Sequence, residues 1–297
     1  MRLVAREFSA GTAAPIRTGM TPRDRDRLEP KPERGARPTE RGSRRLLGMR
    51  VDVADYREAT LAILAMAESG GGMTCVANVH MVMEAWDDPA FRALVNDAEL
   101  VTSDGMPLVW SLRALGARDA TRVYGPTLMP LLCEEAARRG VPVGFYGGGP
   151  PVMAALTQHL AARCPGLAIA FTHCPPQSEA PPAVDERIVS AIEESGARVL
   201  FVGLGCPKQE RWMAAHREHV SCALVGVGAA FDFAAGVKAQ APAWIQRAGL
   251  EWLFRLANEP HRLWRRYARH NPRFALRMAL QIARERMARA ANSSSSE

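Results

Sequence analysis

From about residue 47 onward, apolar positions follow two alternating periods. "LLGMRVDVAD" reads as a short β segment. "YREATLAILAMAES" carries its apolar residues at helical spacing. "MTCVANV" is a strand, and "HMVMEAWDDPAFRALVNDA" is helical around a break near Pro89. "ELVTSDG" predicts a strand ending at an Asp-Gly turn, and "MPLVWSLRALG" a helix with proline in its first turn. The alternation continues: helix "LMPLLCEEAARRG", strand "VPVGFYGGG", helix "PPVMAALTQHLAARCPG", strand "LAIAFTHC", helix "PAVDERIVSAIEESG", strand and loop "ARVLFVGLGCPKQ", helix "QERWMAAHREHV", strand "SCALVGVGAAFDF". Strands that are apolar along their whole length and alternate with helices imply an α/β fold. A mostly parallel sheet would be covered by helices on both faces.

The two ends differ from this region. Residues 1–46 are rich in Arg, Pro, Gly, Thr and Glu without hydrophobic period, and are expected to be a disordered extension. Asp24, Asp26, Glu29, Glu33 and Glu40 interleave with their arginines, which weakens a nucleic-acid arm as the reading. The α/β core is expected over 47–242. Residues 243–290 form a basic helical appendage, in which eleven arginines mix with Trp, Leu, Phe and Tyr and only Glu251, Glu259 and Glu285 oppose them. The serine-rich 291–297 is expected to be a disordered tail.

With 297 residues, the chain is long enough for one large α/β domain or two modest ones. Its net charge of +7 is concentrated in the appendage and bears on partners, not on fold. Six cysteines without a CxxC pair suit buried reduced thiols in a cytosolic protein, not a disulfide framework or zinc site. No apolar run approaches the ~20 residues of a membrane span, and the N-terminus has no secretory h-region.

Ligands of parallel α/β sheets bind beyond the carboxyl ends of the strands, and four such ends carry unusual residues. Asn78 and His80 follow one strand. Asn78 suits hydroxyl or amide recognition or a turn, and His80 a ligand or a structural hydrogen bond. Asp104 precedes Gly105 and fits a general base as well as an Asx turn or helix cap. Gly147, Gly148 and Gly149 suit a phosphate at a helix N-terminus, or a tight turn that needs positive φ. In "VGLGCPKQERWM", Gln209 could reach a site, Lys208 could meet a phosphate or be solvated, and Glu210 could serve the first helical turn. Arg122 fits a bidentate diphosphate contact or a surface salt bridge. Asp232, in "FDFAAG", could support a nucleotide loop or cap the next segment.

"ANVHMVMEA", "LVTSDGMPLVW", "RVYGPTLM", "GFYGGGPPV", "VGLGCPKQERWM", "GVGAAFDFAAG" and "APAWIQRAGLEWLFRLANEPHRLWRRY" occur in the order seen in the WecG/TagA/CpsF glycosyltransferases, which this chain resembles over roughly residues 48–270. The resemblance implies a Rossmann-like, metal-independent, inverting transferase without a cofactor. It would move a sugar from a UDP-sugar to a polyprenyl-diphosphate-linked saccharide in surface or exopolysaccharide assembly, attached peripherally to the cytoplasmic membrane face. Carried over, the catalytic base falls on Asp104, the site asparagine on Asn78, the arginine on Arg122 and the glutamine on Gln209. The family's appendage closes the active site and supplies basic residues to the diphosphate. Two positions depart from the family: Val76 stands where many members have Thr, and Gln240 where many have a basic residue. In such a reaction Asp104 would take the acceptor's proton, while glycine-loop amides, Arg122 and Lys208 would stabilise the leaving UDP. No Asp-x-Asp pair falls within 47–290, in keeping with a metal-free site.

Two other classes remain open on the sequence. A dinucleotide-dependent oxidoreductase lacks its GxGxxG with a following ribose-binding acid. A non-catalytic nucleic-acid or membrane binder would leave the polar strand ends without a role. Nucleic acid is not expected as a partner, and the sequence leaves the transferred sugar, the acceptor and a homo-oligomer open.

Overall fold

The computed structural model describes residues 42–176 and 184–294. The expected extension through residue 41 lies outside the described residues, as do part of the proline-rich loop and residues 295–297.

The chain enters as an antiparallel hairpin, β1 (Ser43–Leu46) and β2 (Met49–Asp52). Leu47 and Gly48 both take positive φ, 52° and 88°, as a tight two-residue hairpin turn requires. Ser43–Leu46 were expected within the disordered extension. They are ordered because Leu46 is fully buried and Arg44 Nε donates to the Leu115 carbonyl at 3.1 Å.

Helices and strands then alternate: α1 (Tyr56–Glu68), β3 (Gly72–Ala77), α2 (Val79–Asp87), α3 (Pro89–Asn96), β4 (Leu100–Ser103), α4 (Met106–Ala114), α5 (Gly125–Arg139), β5 (Val143–Gly147), α6 (Pro150–Arg163), β6 (Ile169–His173), α7 (Glu186–Ser195), β7 (Val199–Gly203), α8 (Lys208–His216) and β8 (Ala223–Gly226). β3 to β8 form one six-stranded sheet in the order β4-β3-β8-β7-β5-β6, with every pairing parallel. Alternate residues of one strand feed opposite layers, as a two-residue period dictates. Leu200 and Val202 join the side covered by α2, α3, α4, α7 and α8. Val199 and Phe201 join the side covered by α1, α5, α6 and α9 (Ala230–Ala234).

The last strand is shorter than its sequence suggests. "SCALVGVGAAFDF" leaves the sheet at Gly226, and Phe231 and Phe233 are buried on α9 instead. Gly228, at φ 55°, turns the chain there.

The appendage comprises α10 (Ala243–Arg247), α11 (Glu251–Asn258) and α12 (Pro260–Ser294). α12 runs about 50 Å at helical rise. Leu263, His270, Phe274 and Met278 form its buried face, and it packs most extensively against α2. It continues through residues 291–294, which were expected to be disordered, because neither Gly nor Pro stands there to stop it.

Candidate active site

Beyond the carboxyl ends of β3, β4, β7 and β8, and beneath the appendage, lie two adjoining cavities. The larger, about 580 Å³, lies between α4 and α12 and is mainly apolar, with Met106, Trp110, Phe274, Met278 and Ile282 in its walls. The smaller, about 120 Å³, is polar and is walled by Gly205, Gln209, Gly228 and three appendage arginines, Arg255, Arg262 and Arg266. Asn78, His80, Asp104, Arg255 and Arg266 line both. Asp104 therefore sits where the two spaces meet.

β3 and β4 lie side by side, and the Asp104 N–H donates to the Ala77 carbonyl at 2.7 Å. This bond brings Asn78 and Asp104 to one rim. The Asp104 side chain keeps 16% exposure. Burial pushes its pKa up to about 6; Arg122 and Arg255 pull it down, and Glu251 pushes it further up. A carboxyl in this setting can exchange its proton near neutrality. Asn78 caps α2, its side-chain oxygen accepting from the Met81 N–H at 3.2 Å.

Arg122 is neither free nor at the surface. Its Nε donates to the Asp104 carbonyl, and Nη2 lies 3.5 Å from Asp104 Oδ1. Nη2 also donates to Glu251 Oε2 at 2.5 Å, and Nη1 to Gln246 Oε1 at 3.3 Å. The guanidinium lies over the Tyr124 ring, 4.0 Å from its centroid. Burial opposes its charge, but the Glu251 and Asp104 carboxylates outweigh that and keep it ionised. Arg122 therefore pins α11 and the Asp104 loop together.

Gln209 lines the smaller cavity but spends its side chain on the fold. Its Oε1 accepts from the N–H groups of Gly205 at 3.2 Å and Gly228 at 3.0 Å, and its Nε2 donates to Glu210 Oε1 at 2.7 Å. It ties the loop after β7 to the loop after β8. Glu210 was expected to serve the first turn of α8. It opens that helix but is fully buried, and burial pushes its pKa up to about 7, against the Gln209 hydrogen bond.

The remaining candidates line neither cavity. Gly147 takes φ 125°, and a Cβ there would stand 2.6 Å from the Gly203 carbonyl oxygen. Together with Gly148 at φ 66°, this geometry is what the tight-turn reading requires. Lys208 opens α8. Asp232 holds Lys238 Nζ at 2.8 Å, and its carbonyl accepts from the N–H groups of residues 237 and 238, at the turn that leads into the appendage.

Sequence reasoning missed Glu251, Gln246, Arg255, Arg262 and Arg266 as site residues. Glu251 had one signal, an isolated acid opening a helix in an arginine-rich segment. The arginines had none that separates them from their neighbours. The buried Nε atoms of Arg255 and Arg266 have no hydrogen-bond partner among the described residues.

Asp104 is a titratable carboxyl at the mouth of an arginine-lined pocket, and beside it lies an apolar chamber. That arrangement suits transfer from an anionic donor to an acceptor with an apolar part. The sequence model of the glycosyl transferase WecG/TagA/CpsF family matches residues 44–288, well over half of the chain, and the chain belongs to that family of glycosyltransferases.

Proposed function

We propose that the chain is an inverting, metal-independent transferase that moves a sugar from a UDP-sugar to a polyprenyl-diphosphate-linked saccharide in cell-surface or exopolysaccharide assembly. The observation that carries this reading is the position of Asp104 between a small arginine-lined cavity and a larger apolar one. The donor diphosphate would lie under Arg255, Arg262 and Arg266, over the loops that follow β7 and β8. The acceptor's isoprenoid would lie along α4 and α12. Its hydroxyl would then approach the anomeric carbon past Asp104, which takes the proton as UDP leaves, while fixed arginines stabilise the charge that develops on the diphosphate. Asn78 at the shared rim can hydrogen-bond a sugar hydroxyl. A panel of UDP-sugars, offered with a synthetic polyprenyl-diphosphate saccharide, tests the reading. Transfer from one of them supports it; turnover with a nicotinamide cofactor and none with any UDP-sugar would replace it with the oxidoreductase reading.

Arg255→Gln is expected to weaken UDP binding by about 1.5–3 kcal/mol, the range of hydrogen bonds to charged groups. Calorimetry with UDP checks this, and unchanged affinity would remove Arg255 from the donor pocket.

Peripheral attachment to the cytoplasmic membrane face belongs to the same reading. No helix among the described residues is long and apolar enough to cross a membrane. Trp244, Trp264, Leu276, Leu280 and Met287 are nonetheless exposed on the appendage, among arginines that suit anionic headgroups. Co-sedimentation with anionic vesicles should be strong at low salt and reduced by Trp264→Ser with Leu276→Ser; equal partitioning onto neutral vesicles would contradict the arginine contribution.

A further inference from the structure

His80 and Glu84 stand four residues apart on α2, so they share one helix face. His270 of α12 is set against that face, its ring centroid 5.0 Å from that of His80. Glu84 Oε1 lies 3.6 Å from His80 Nδ1 and 3.6 Å from His270 Nε2, and one ligand atom from each of the three residues falls within 4.8 Å of the others. A gap of 3.6 Å is too long for a hydrogen bond. It is close to the edge of a tetrahedron around an ion with N and O bonds near 2.1 Å, about 3.4 Å.

The chemistry of the donors agrees. His80 Nδ1 is buried and has no hydrogen-bond partner among the described residues, which leaves a ring nitrogen available to a metal. Neutral imidazole is the ligating form of histidine. Three arginines on α12 oppose a cation, but Arg269 and Arg273 are ion-paired with Asp87.

We propose that His80, Glu84 and His270 bind a divalent transition ion of the zinc class, which fastens the appendage to the core. Both histidines line the larger cavity, so a fourth position would open toward it, as in sites with three protein ligands and one exchangeable one. The proposal does not depend on the glycosyl-transfer reading, and the ion takes no part in that chemistry. It makes seating of α12 on α2 metal-dependent.

The full chain, freed of metal by a chelator, is titrated with Co(II) and then with Zn(II) as competitor. The expected result is one Co(II) per chain with the intense visible absorption of four-coordinate N/O ligation, displaced by Zn(II), and a melting temperature raised by Zn(II). Glu84→Gln and His270→Ala should each weaken binding by more than about a hundredfold, beyond the loss of an outer-shell partner. Glu84 is partly exposed, so its variant keeps the test available if His270→Ala fails to fold. A weak six-coordinate spectrum, a thiolate charge-transfer band, or affinity unchanged by Glu84→Gln would overturn the proposal.

Discussion

Asn in place of Asp104 is expected to lower sugar transfer by about 10²–10⁴-fold, the range that a positioned general base supplies, while UDP still binds. Asn matches the carboxylate in size and leaves the backbone bonds of residue 104 to Ala77 and Arg122 in place. The loss should therefore fall on kcat, not on the affinity for UDP. The wild-type pH profile carries the same information. The base must be ionised, and burial sets its pKa at about 6, so kcat should rise with pH through that value and then level off. Stability should move the other way. A carboxyl whose pKa is raised from 3.8 to about 6 on folding binds its proton more tightly in the native state. It contributes stability that is full below pH 3.8 and is lost as pH rises through 6. Asp104→Asn should remove that slope in urea titrations. Near-normal turnover by the variant would take Asp104 out of the base role.

Arg122→Leu is expected to destabilise the chain by about 3 kcal/mol, the lower end of the cost of removing one partner from a buried ion pair. The lower end applies because Asp104 and Glu251 border the cavities and keep some exposure. The variant leaves Glu251, the acid at the start of α11, without its 2.5 Å partner. The damage should be local first: α10 to α12 should become protease-sensitive before the sheet unfolds. Adding Glu251→Leu should recover much of the loss, since an absent pair costs less than a broken one. Urea midpoints and limited proteolysis of the three chains check this. A single variant as stable as wild type would show that the pin does not hold the appendage.

The strands, most helices and the rim residues were legible in the sequence because each depends on near neighbours. An apolar run that stops at Asn78, or at Asp104 before a glycine, announces a strand end, and the parallel sheet puts such ends on one side. The uses of Arg122 and Gln209 were not legible. Arg122 meets Glu251 across 129 positions, and the arginine spacing of 243–290 does not encode that closure. Gln209 lies beside glycine loops, as expected, but its amide bridges Gly205 to Gly228, a partner on another strand's loop that no local pattern reveals. The same limit hid which arginines turn inward. Arg255, Arg262 and Arg266 read like Arg265 or Arg269 until α11 and α12 are seated on the sheet.

A crystal structure of the full chain with UDP tests most directly whether one donor site lies at Asp104. The predicted result is a diphosphate in the smaller cavity, within hydrogen-bond reach of at least two of Arg255, Arg262 and Arg266, with its terminal phosphate toward Asp104. UDP held instead at the Gly147–Gly149 turn, or no UDP at saturating concentration, would contradict it.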